Sequence, residues 1–262
     1  MKKLPISVCL ISGAEAHRIG RALASVSGWT SEIMVVLNEE TADGTEEICR
    51  QHGAQVFREP WKGHVRQKNS AAEKATQPWI LGLDADETVS DRLRDQILRL
   101  FAEPARLEAA SACSFPRLTW FCGRWIRHGD WYPDRQTRLW RAGRARWGGV
   151  DPHDRLVVEG AVLRLKGDLL HNNAERIDAQ IAKIGRYSED FLLNARTTGR
   201  SASGLDVYGR PVWRFLRGYF FKGGFLDGWQ GWYIAWMTAF YTATRYVKIR
   251  AKGEKSAPEN HR

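Results

Sequence analysis

Cysteine is scarce in this 262-residue chain, and long apolar runs are missing. The four cysteines, Cys9, Cys49, Cys113 and Cys122, lie far apart and form no C-x-x-C pair. This spacing excludes a disulfide framework or a zinc cluster as an organising principle and fits a reducing compartment. The first apolar run stops at Gly13, which is too early for a signal peptide, so we interpret it as a first strand.

Positive charge is concentrated near the C-terminus. Residues 1–209 carry 30 Lys and Arg against 27 Asp and Glu, whereas residues 210–250 carry seven basic residues against Asp227 alone. The same segment is rich in Trp, Tyr and Phe. A basic, aromatic segment predicts an anionic surface as partner, and both nucleic acid and membrane lipid meet this description.

Strand and helix patterns alternate along the first ninety residues, as in a parallel sheet with crossover helices. Apolar strand patterns lie at 6–11, 33–37, 54–58 and 79–83, with helical spacing between them. A further amphipathic helix is predicted after Ser90, a typical N-cap. Short β-like runs follow between 112 and 170, and helical spacing returns over 176–193. The predicted fold class is α/β.

Two acidic residues, Asp84 and Asp86, directly follow the fourth apolar run. Side chains two positions apart on an extended segment point to the same side, and open α/β sheets bind ligands at the carboxyl ends of their strands. Paired carboxylates suit Mg²⁺ or Mn²⁺, and such a cation offsets the charge that develops on a departing diphosphate. The pattern predicts a metal-dependent site for a nucleotide diphosphate donor, although a D-x-D sequence can also merely cap a helix.

A series of motifs resembles glycosyltransferase family 2, and within it the small bacterial enzymes similar to lipopolysaccharide core β-glucosyltransferases. The motifs lie, in order, at residues 15–17, 41–45, 60–63, 67–69, 83–87, 132–135, 138–140, 150–155, 169–171 and 224–228. The resemblance implies inverting transfer from a nucleotide sugar. It also implies a GT-A fold, a Rossmann-like mixed sheet flanked by helices, here with an aromatic, basic helical appendage at the C-terminus.

The resemblance divides the chain into functional segments. Residues 1–90 would form the nucleotide-sugar-binding half of the GT-A domain, and residues 91–205 the acceptor-binding half. Residues 206–250 would form amphipathic helices that associate with a membrane or oligomerise. Residues 251–262 are expected to be a disordered tail.

The donor and metal sites take their residues from the strand ends. By resemblance, Glu15 after the first strand and Asn38 after the second hold the nucleotide, Asp84 contacts the donor, and His171 joins Asp84 and Asp86 as a metal ligand. An imidazole is an acceptable third ligand for Mn²⁺.

Basic residues near these motifs are expected to neutralise the diphosphate. Lys68, Arg135 and Arg138 are the candidates, and the guanidinium fork suits phosphate oxygens. Ala14 and Leu37 replace an Asn and an Asp that are usual in the family, so base recognition is open, with uridine as the default.

The acceptor side needs a general base, because inverting transfer removes a proton from the acceptor hydroxyl. By resemblance this base is Asp154, with Asp151 as the reserve candidate; an ion pair with Arg155 is the structural alternative. Trp131 and Trp140 are the predicted acceptor-binding rings, because they flank the arginines and flat rings cover the apolar face of a hexose.

Aromatic residues recur at three- and four-residue steps from Trp229 to Tyr241. The charge-free stretch 228–244 falls short of the about twenty apolar residues that span a bilayer. An interfacial helix is therefore predicted, with the basic residues of 210–250 facing anionic lipid. Packing on the protein's own core, or in a homo-oligomer, is the alternative.

The sequence as a whole predicts a metal-dependent hexosyltransferase, peripheral on the cytoplasmic face of the cell membrane. It would move a hexose, with UDP-glucose as the default donor, to a lipid-linked saccharide such as inner-core lipopolysaccharide. A nucleotidyltransferase is disfavoured because no Gly-rich phosphate loop follows the first strand. Nucleic acid is disfavoured as partner because the charge accompanies an apolar aromatic helix. A non-catalytic GT-A scaffold with a degenerate donor site remains the alternative, and Ala14 and Leu37 support it.

Overall fold

The computed structural model describes residues 3–150, 153–172 and 177–253. The strands are β1 (Leu4–Ser12), β2 (Thr30–Asn38), β3 (Gln55–Glu59), β4 (Trp79–Gly82), β5 (Glu87–Val89), β6 (Ala112–Phe121), β7 (Arg124–Ile126), β8 (Asp134–Arg141), β9 (Ala145–Val150), β10 (His153–Val158), β11 (Val162–Arg164) and β12 (Leu169–His171). The α-helices are α1 (Ile19–Ser27), α2 (Thr45–Gln51), α3 (His64–Glu73), α4 (Asp91–Phe101), α5 (Pro104–Glu108), α6 (Ile177–Thr197), α7 (Arg210–Leu216) and α8 (Gly228–Gly253).

The chain divides into two compact units. The sheet unit comprises Met1–Leu118 and Asp134–Asn172, and the helical unit comprises Thr119–Pro133 and Asn173–Arg262. This division differs from the predicted boundaries after residues 90 and 205. The reason is that β6 and β8 return to the sheet begun by the first ninety residues, whereas α6 groups with the helices that follow it. The predicted tail lies outside the described residues from position 254 onward.

A mixed sheet with the order β3-β2-β1-β4-β8-β6-β12-β5 forms the sheet unit. The first four strands pair in parallel, and β8 runs antiparallel to both β4 and β6. β1 and β2 are nearly continuous apolar runs because both of their faces are covered by other elements, as is typical of parallel strands. β9 and β10 form a separate antiparallel hairpin.

Helices cover both faces of this sheet. On one face, α1 and α4 contribute Ile19, Leu23 and Leu93 to a core with β1 and β4. On the other face, Ala71 of α3 packs with Trp140 and other buried residues. The α4 helix begins as predicted, because Ser90 Oγ accepts a hydrogen bond from Leu93 N at 3.2 Å. The parallel strands place the turns after β1, β2, β3 and β4 at one edge of the sheet, where a ligand is expected.

The helical unit contains α6, α7, α8 and the β7 hairpin. Two π-helical turns, Leu205–Gly209 and Arg217–Phe221, flank α7, and a 3₁₀ turn, Gly224–Asp227, precedes α8. Leu192 of α6 packs against Tyr246 and Ile249 of α8. None of the helices that the structure describes combines the length and apolarity needed to cross a bilayer. The predicted fold class, a mixed sheet flanked by helices with an aromatic helical C-terminal region, is confirmed.

Candidate active site

Asp84, in the turn after β4, lies between two cationic side chains. Its Oδ1 is 2.9 Å from Lys68 Nζ, and its Oδ2 accepts a hydrogen bond from Arg138 at 2.6 Å. Burial acts to raise the pKa of Asp84, but the charges of Arg138 and Lys68 outweigh it, so the pKa lies well below its usual range. The carboxylate is therefore held in its ionised form within the sheet edge.

Arg138 reaches this position because β8 carries a β-bulge. Cys113 and Ser114 of β6 pair with Leu139 and Thr137 of β8, so Arg138 is an additional residue without a partner across the strands. A bulge bends the strand locally and re-aims the side chain at the bulged position. The bulge thus directs the Arg138 guanidinium to Asp84.

Glu87 supports the same turn from within the core and is 0% exposed. Its Oε2 accepts a hydrogen bond from Asp84 N at 3.1 Å, and its Oε1 accepts one from Arg138 at 3.2 Å. Arg117 lies 3.5 Å from the same Oε1. Glu87 lies in the 83–87 motif but had no predicted role. Its role could have been predicted from its position, because it is a third acid directly after the D-x-D pair, in an otherwise apolar strand region.

Lys68 connects Asp84 to the predicted base. Its ammonium group lies 2.9 Å from Asp84 and 2.9 Å from Asp154, and it stands 4.6 Å above the ring centroid of Trp147. The Arg138 guanidinium lies 5.2 Å from the same centroid. The structure therefore brings four predicted residues together, and Trp147 provides an aromatic surface for both cations.

The β9–β10 hairpin carries Asp154 to Lys68. The Asn69 side chain donates to Trp147 O at 3.0 Å and accepts from Trp147 N at 2.9 Å, which joins α3 to β9. Asp154 thus forms its ion pair with Lys68, instead of the Arg155 pair considered as the alternative. The reserve candidate, Asp151, lies outside the described residues.

Asp86 lies beside a histidine and an arginine. His171 Nε2 is 3.3 Å from Asp86 Oδ2, and Arg18 is 3.6 Å from the same oxygen. Burial acts to raise the pKa of Asp86, but the hydrogen bond and charge of His171 outweigh it and lower the pKa. Arg18 also donates to Glu15 at 2.6 Å, so the turn after β1 is linked to the Asp86 turn. Sequence reasoning missed Arg18.

The three predicted metal ligands Asp84, Asp86 and His171 do not face one common point in this structure, and the three-ligand site stays a prediction. Within residues 3–150, 153–172 and 177–253, no three His, Cys, Asp or Glu side chains are grouped to hold a metal ion. The reason is that Asp84 faces the cations Lys68 and Arg138. Asp86 and His171 do fit a divalent cation, because their 3.3 Å separation is close to the about 3 Å between neighbouring ligands of an octahedral ion with bonds of about 2.1 Å.

Two other predicted donor residues lie apart from Asp84. Asn38 ends β2 at the same sheet edge, where its side-chain oxygen accepts from Glu40 N at 3.4 Å. Arg135 is directed elsewhere, because it donates to Leu165 O at 3.1 Å and to Ser114 O at 3.4 Å. Its predicted role in neutralising the diphosphate therefore receives no support from the structure.

The two predicted acceptor-binding rings have different environments. Trp140 is 1% exposed and packs edge-on against Trp147, with ring centroids 6.0 Å apart. Its ring is a core side chain with no face available to a sugar, which corrects the prediction. Trp131 belongs to the helical unit, where it is partly buried and meets Phe121 edge-on at 5.3 Å.

Comparison with known proteins adds independent information. The family model described as Glycosyl transferase family 2 matches residues 7–157. An uncharacterised glycosyltransferase of Rickettsia prowazekii is 30% identical over 271 residues, which cover 98% of this chain and 89% of that protein. The lipopolysaccharide core biosynthesis glycosyltransferase LpsC of Rhizobium meliloti is 28% identical over 98% of this chain and 96% of its own length. Among solved structures, the mannosyltransferase PcManGT from Pyrobaculum calidifontis in complex with GDP-Man and Mn²⁺ aligns with 98% of this chain and 77% of its own, at 13% identity and a TM-score of 0.49.

Proposed function

Because the chain belongs to glycosyltransferase family 2, we propose that it is an inverting hexosyltransferase that uses a nucleotide diphosphate sugar. The observation that carries this proposal is the position of Lys68, which joins the donor-side acid Asp84 to the candidate base Asp154. UDP-glucose is the proposed donor. A lipid-linked saccharide of the lipopolysaccharide inner core is the proposed acceptor, and the name and full-length similarity of LpsC support this choice.

Donor binding would use the cations that now surround Asp84. Lys68 and Arg138 present positive charge at the carboxyl edge of the sheet, and diphosphate oxygens would compete with Asp84 for them. Fixed cations stabilise charge as it develops on a leaving group, and they do so most strongly in a water-poor site. Glu15 lies in the turn after β1 and Asn38 ends β2, and the nucleoside is proposed to bind at this edge of the sheet.

Asp154 is the proposed general base. As the acceptor oxygen forms a bond to the anomeric carbon, the bond from that carbon to the diphosphate oxygen breaks on the opposite side. The acceptor proton passes to a carboxylate oxygen of Asp154, and the sugar is released from the diphosphate with inverted configuration. An acceptor hydroxyl must therefore compete with Lys68 for that carboxylate.

Asp86 and His171 are the residues proposed to hold a divalent cation, Mg²⁺ or Mn²⁺. Such a cation would supply electrostatic stabilisation to the diphosphate. The fit rests on the 3.3 Å separation of the carboxylate oxygen and Nε2, with the remaining ligands coming from the diphosphate and water.

A peripheral position on the inner face of the cell membrane completes the proposal. The helical unit would bind an anionic lipid surface through residues 210–250, where basic residues accompany exposed aromatic side chains. This placement would bring the enzyme to a lipid-linked acceptor.

A thermal-stability titration tests the donor site. UDP and UDP-glucose are added to the wild-type protein with and without Mn²⁺, and the melting temperature is followed. A ligand at a hundredfold excess over its Kd stabilises by about 2.7 kcal/mol, which gives a measurable shift. We expect stabilisation that depends on Mn²⁺, and we expect Asp86→Ala to remove that dependence.

The matched control is Asp91→Ala, which removes an exposed acid from the start of α4. Its nucleotide response should equal that of the wild-type protein. If millimolar UDP and UDP-glucose do not stabilise the wild-type protein with or without Mn²⁺, the non-catalytic scaffold becomes the better account.

A further inference from the structure

Exposed apolar side chains form two rows on the helical unit. The first row follows the helical segment 205–221 at four-residue steps and consists of Tyr208, Val212, Leu216 and Phe220. The second row follows α8 and consists of Trp229, Trp232, Trp236 and Phe240. Ring contacts join the rows, because Phe215 lies 4.9 Å from Trp236 and 6.5 Å from Phe220. An apolar surface of this extent is unusual on a soluble monomer and marks an interaction site.

A cluster of basic residues accompanies these rows. Arg214, Arg217 and Lys222 all converge on Asp130, at 3.5, 3.2 and 2.9 Å. The Asp130 side chain is only 7% exposed, whereas the three cationic side chains are 36–39% exposed. One buried negative charge thus holds three positive charges in place, which leaves two in excess at the surface. We call these four residues the Asp130 cluster.

The surrounding backbone fixes the Asp130 cluster. Asp227 is buried and accepts hydrogen bonds from Arg127 N at 3.0 Å and His128 N at 2.7 Å. These bonds attach the segment that contains Asp130 to Asp227, the residue that precedes α8. The cluster is therefore a preorganised group of cations.

Arg214 and Arg217 lie on the same helical segment, 205–221, as several exposed aromatic side chains. Arg217 lies between Trp213 and Phe221, one turn from each, and the rings of these two residues are 5.5 Å apart. Exposed rings on the same segment as basic side chains suit the boundary of a bilayer, where rings lie at headgroup depth and cations meet phosphate. Guanidinium groups bind phosphate oxygens through paired hydrogen bonds.

We propose that the Asp130 cluster binds the phosphate groups of anionic phospholipids while the two apolar rows lie in the interface of the bilayer. This inference rests on the proposed membrane association and specifies the side chains that carry it. The occupant of this surface is a membrane containing anionic lipid. Charge complementarity supports that choice, because residues 205–250 contain seven basic residues and only two acidic ones.

The test is vesicle flotation with the full-length chain. Vesicles of phosphatidylcholine are compared with vesicles that also contain phosphatidylglycerol. The charge variant combines Arg214→Gln, Arg217→Gln and Lys222→Gln with Asp130→Asn, so that no buried charge loses its partner. Each net positive charge near an anionic surface strengthens binding about fivefold, and the variant loses two net positive charges, so we expect it to bind the anionic vesicles about 25-fold more weakly.

The matched control removes the same charges from exposed positions on the sheet unit. It combines Arg92→Gln, Arg99→Gln, Arg144→Gln and Glu40→Gln, and it should bind vesicles as the wild-type protein does. Circular dichroism and the melting temperature show whether each variant is folded. A charge variant that does not fold is replaced by Arg217→Gln alone, for which we expect an about fivefold loss.

Three results would overturn the inference. The first is binding of the charge variant, or of Arg217→Gln in its place, to anionic vesicles as tight as that of the control. The second is equal binding of the wild-type protein to both vesicle types, and the third is a dimer that does not float with vesicles. The UDP response, measured on the same samples, reports on the donor site alone. If the wild-type protein shows no UDP response, the proposed transferase function is contradicted, whereas the vesicle result still tests lipid binding by itself.

Discussion

Lys68 and Asp154 form an ion pair of 2.9 Å although they lie 86 residues apart in the chain. The contact joins α3 to the β9–β10 hairpin, and the same ammonium group reaches Asp84 after β4. Three separate segments therefore meet at one side chain. In the proposed reaction this side chain must turn to the donor diphosphate before Asp154 can receive the acceptor hydroxyl.

Replacing Asp154 by Asn should abolish transfer and preserve donor binding. The amide keeps the shape of the carboxylate but cannot accept the acceptor proton, so kcat should fall by about 10²–10⁴-fold. The Mn²⁺-dependent stabilisation by UDP should remain. Glu159→Gln is the control, since it neutralises an exposed acid just after β10. Normal turnover by Asp154→Asn would exclude this residue as the base.

Lys68→Met should destabilise the fold as well as weaken donor binding. The ammonium group is mostly buried and serves two carboxylates, and removing one partner of a buried ion pair typically costs about 3–5 kcal/mol. Lys62→Met is the comparison, because Lys62 forms a more exposed 2.9 Å pair with Glu59 and should cost less than about 1 kcal/mol. Urea unfolding measures both values. Equal losses would show that the Lys68 pairs contribute no more than a surface pair.

The order of secondary structure was predictable from local signals. Apolar runs separated by helical spacing predicted the four parallel strands, and the Ser90 N-cap predicted the start of α4. These signals suffice because a strand buried on both faces and a capped amphipathic helix are each specified by neighbouring residues. The positions of Asp84 and Asp86 followed from the same reasoning, because both come directly after the fourth strand.

Which of the predicted arginines and tryptophans face the site could not be predicted from local signals. Arg135 and Arg138 differ because a bulge in β8 aims only Arg138 at Asp84, and a bulge depends on the register with β6. Trp140 lies in the core because Gly82 on the neighbouring strand leaves room for its ring. Pairing between distant strands decides both outcomes, and the spacing of Arg135 from Arg138, or of Trp131 from Trp140, carries no signal of it.

Asn69→Ala should reduce transfer more than donor binding. Asn69 makes two hydrogen bonds to the Trp147 backbone, and loss of the side chain leaves a partly buried N–H and C=O without those partners. The cost should be about 1–3 kcal/mol, and the hairpin carrying Asp154 should shift. Steady-state kinetics should show a lower kcat with little change in KM for the donor. Gln51→Ala, which removes an exposed amide from α2, should leave both constants unchanged. A rise in donor KM alone would argue against a positioning role for Asn69.

Stability at acidic pH should depend on Glu59. Burial acts to raise the pKa of Glu59, but hydrogen bonds from Lys74, Lys62 and Ser70 outweigh it and lower the pKa from 4.5 to about 2. Because the folded pKa is the lower one, this stabilisation is fully present above pH 4.5 and is lost as the pH falls towards 2. The contribution at neutral pH should be about 1–2 kcal/mol after solvent screening.

Urea unfolding of Glu59→Gln and of the wild-type protein, from neutral pH to about pH 3, measures this contribution. The free energy of unfolding of Glu59→Gln should depend less on pH in the acid range than that of the wild-type protein. Glu40→Gln, at an exposed position in the turn after β2, should keep the wild-type dependence. Identical acid profiles for Glu59→Gln and the wild-type protein would show that the Lys74 contact contributes nothing to stability.

Two glycine substitutions should have opposite effects. A Cβ atom at Gly167 would lie 2.4 Å from Leu93 Cα and 2.5 Å from Leu93 N, so Gly167→Ala must displace the backbone of α4. Overpacking of this kind typically costs about 1–3 kcal/mol or more. Gly185 lies within α6, and a Cβ atom there would meet nothing within 4 Å. Gly185→Ala should therefore stabilise the protein by about 0.5–1 kcal/mol, because alanine loses less backbone entropy in a helix. Urea unfolding of both variants gives the two signs, and a stable Gly167→Ala would mean that the segment before β12 does not pack closely on α4.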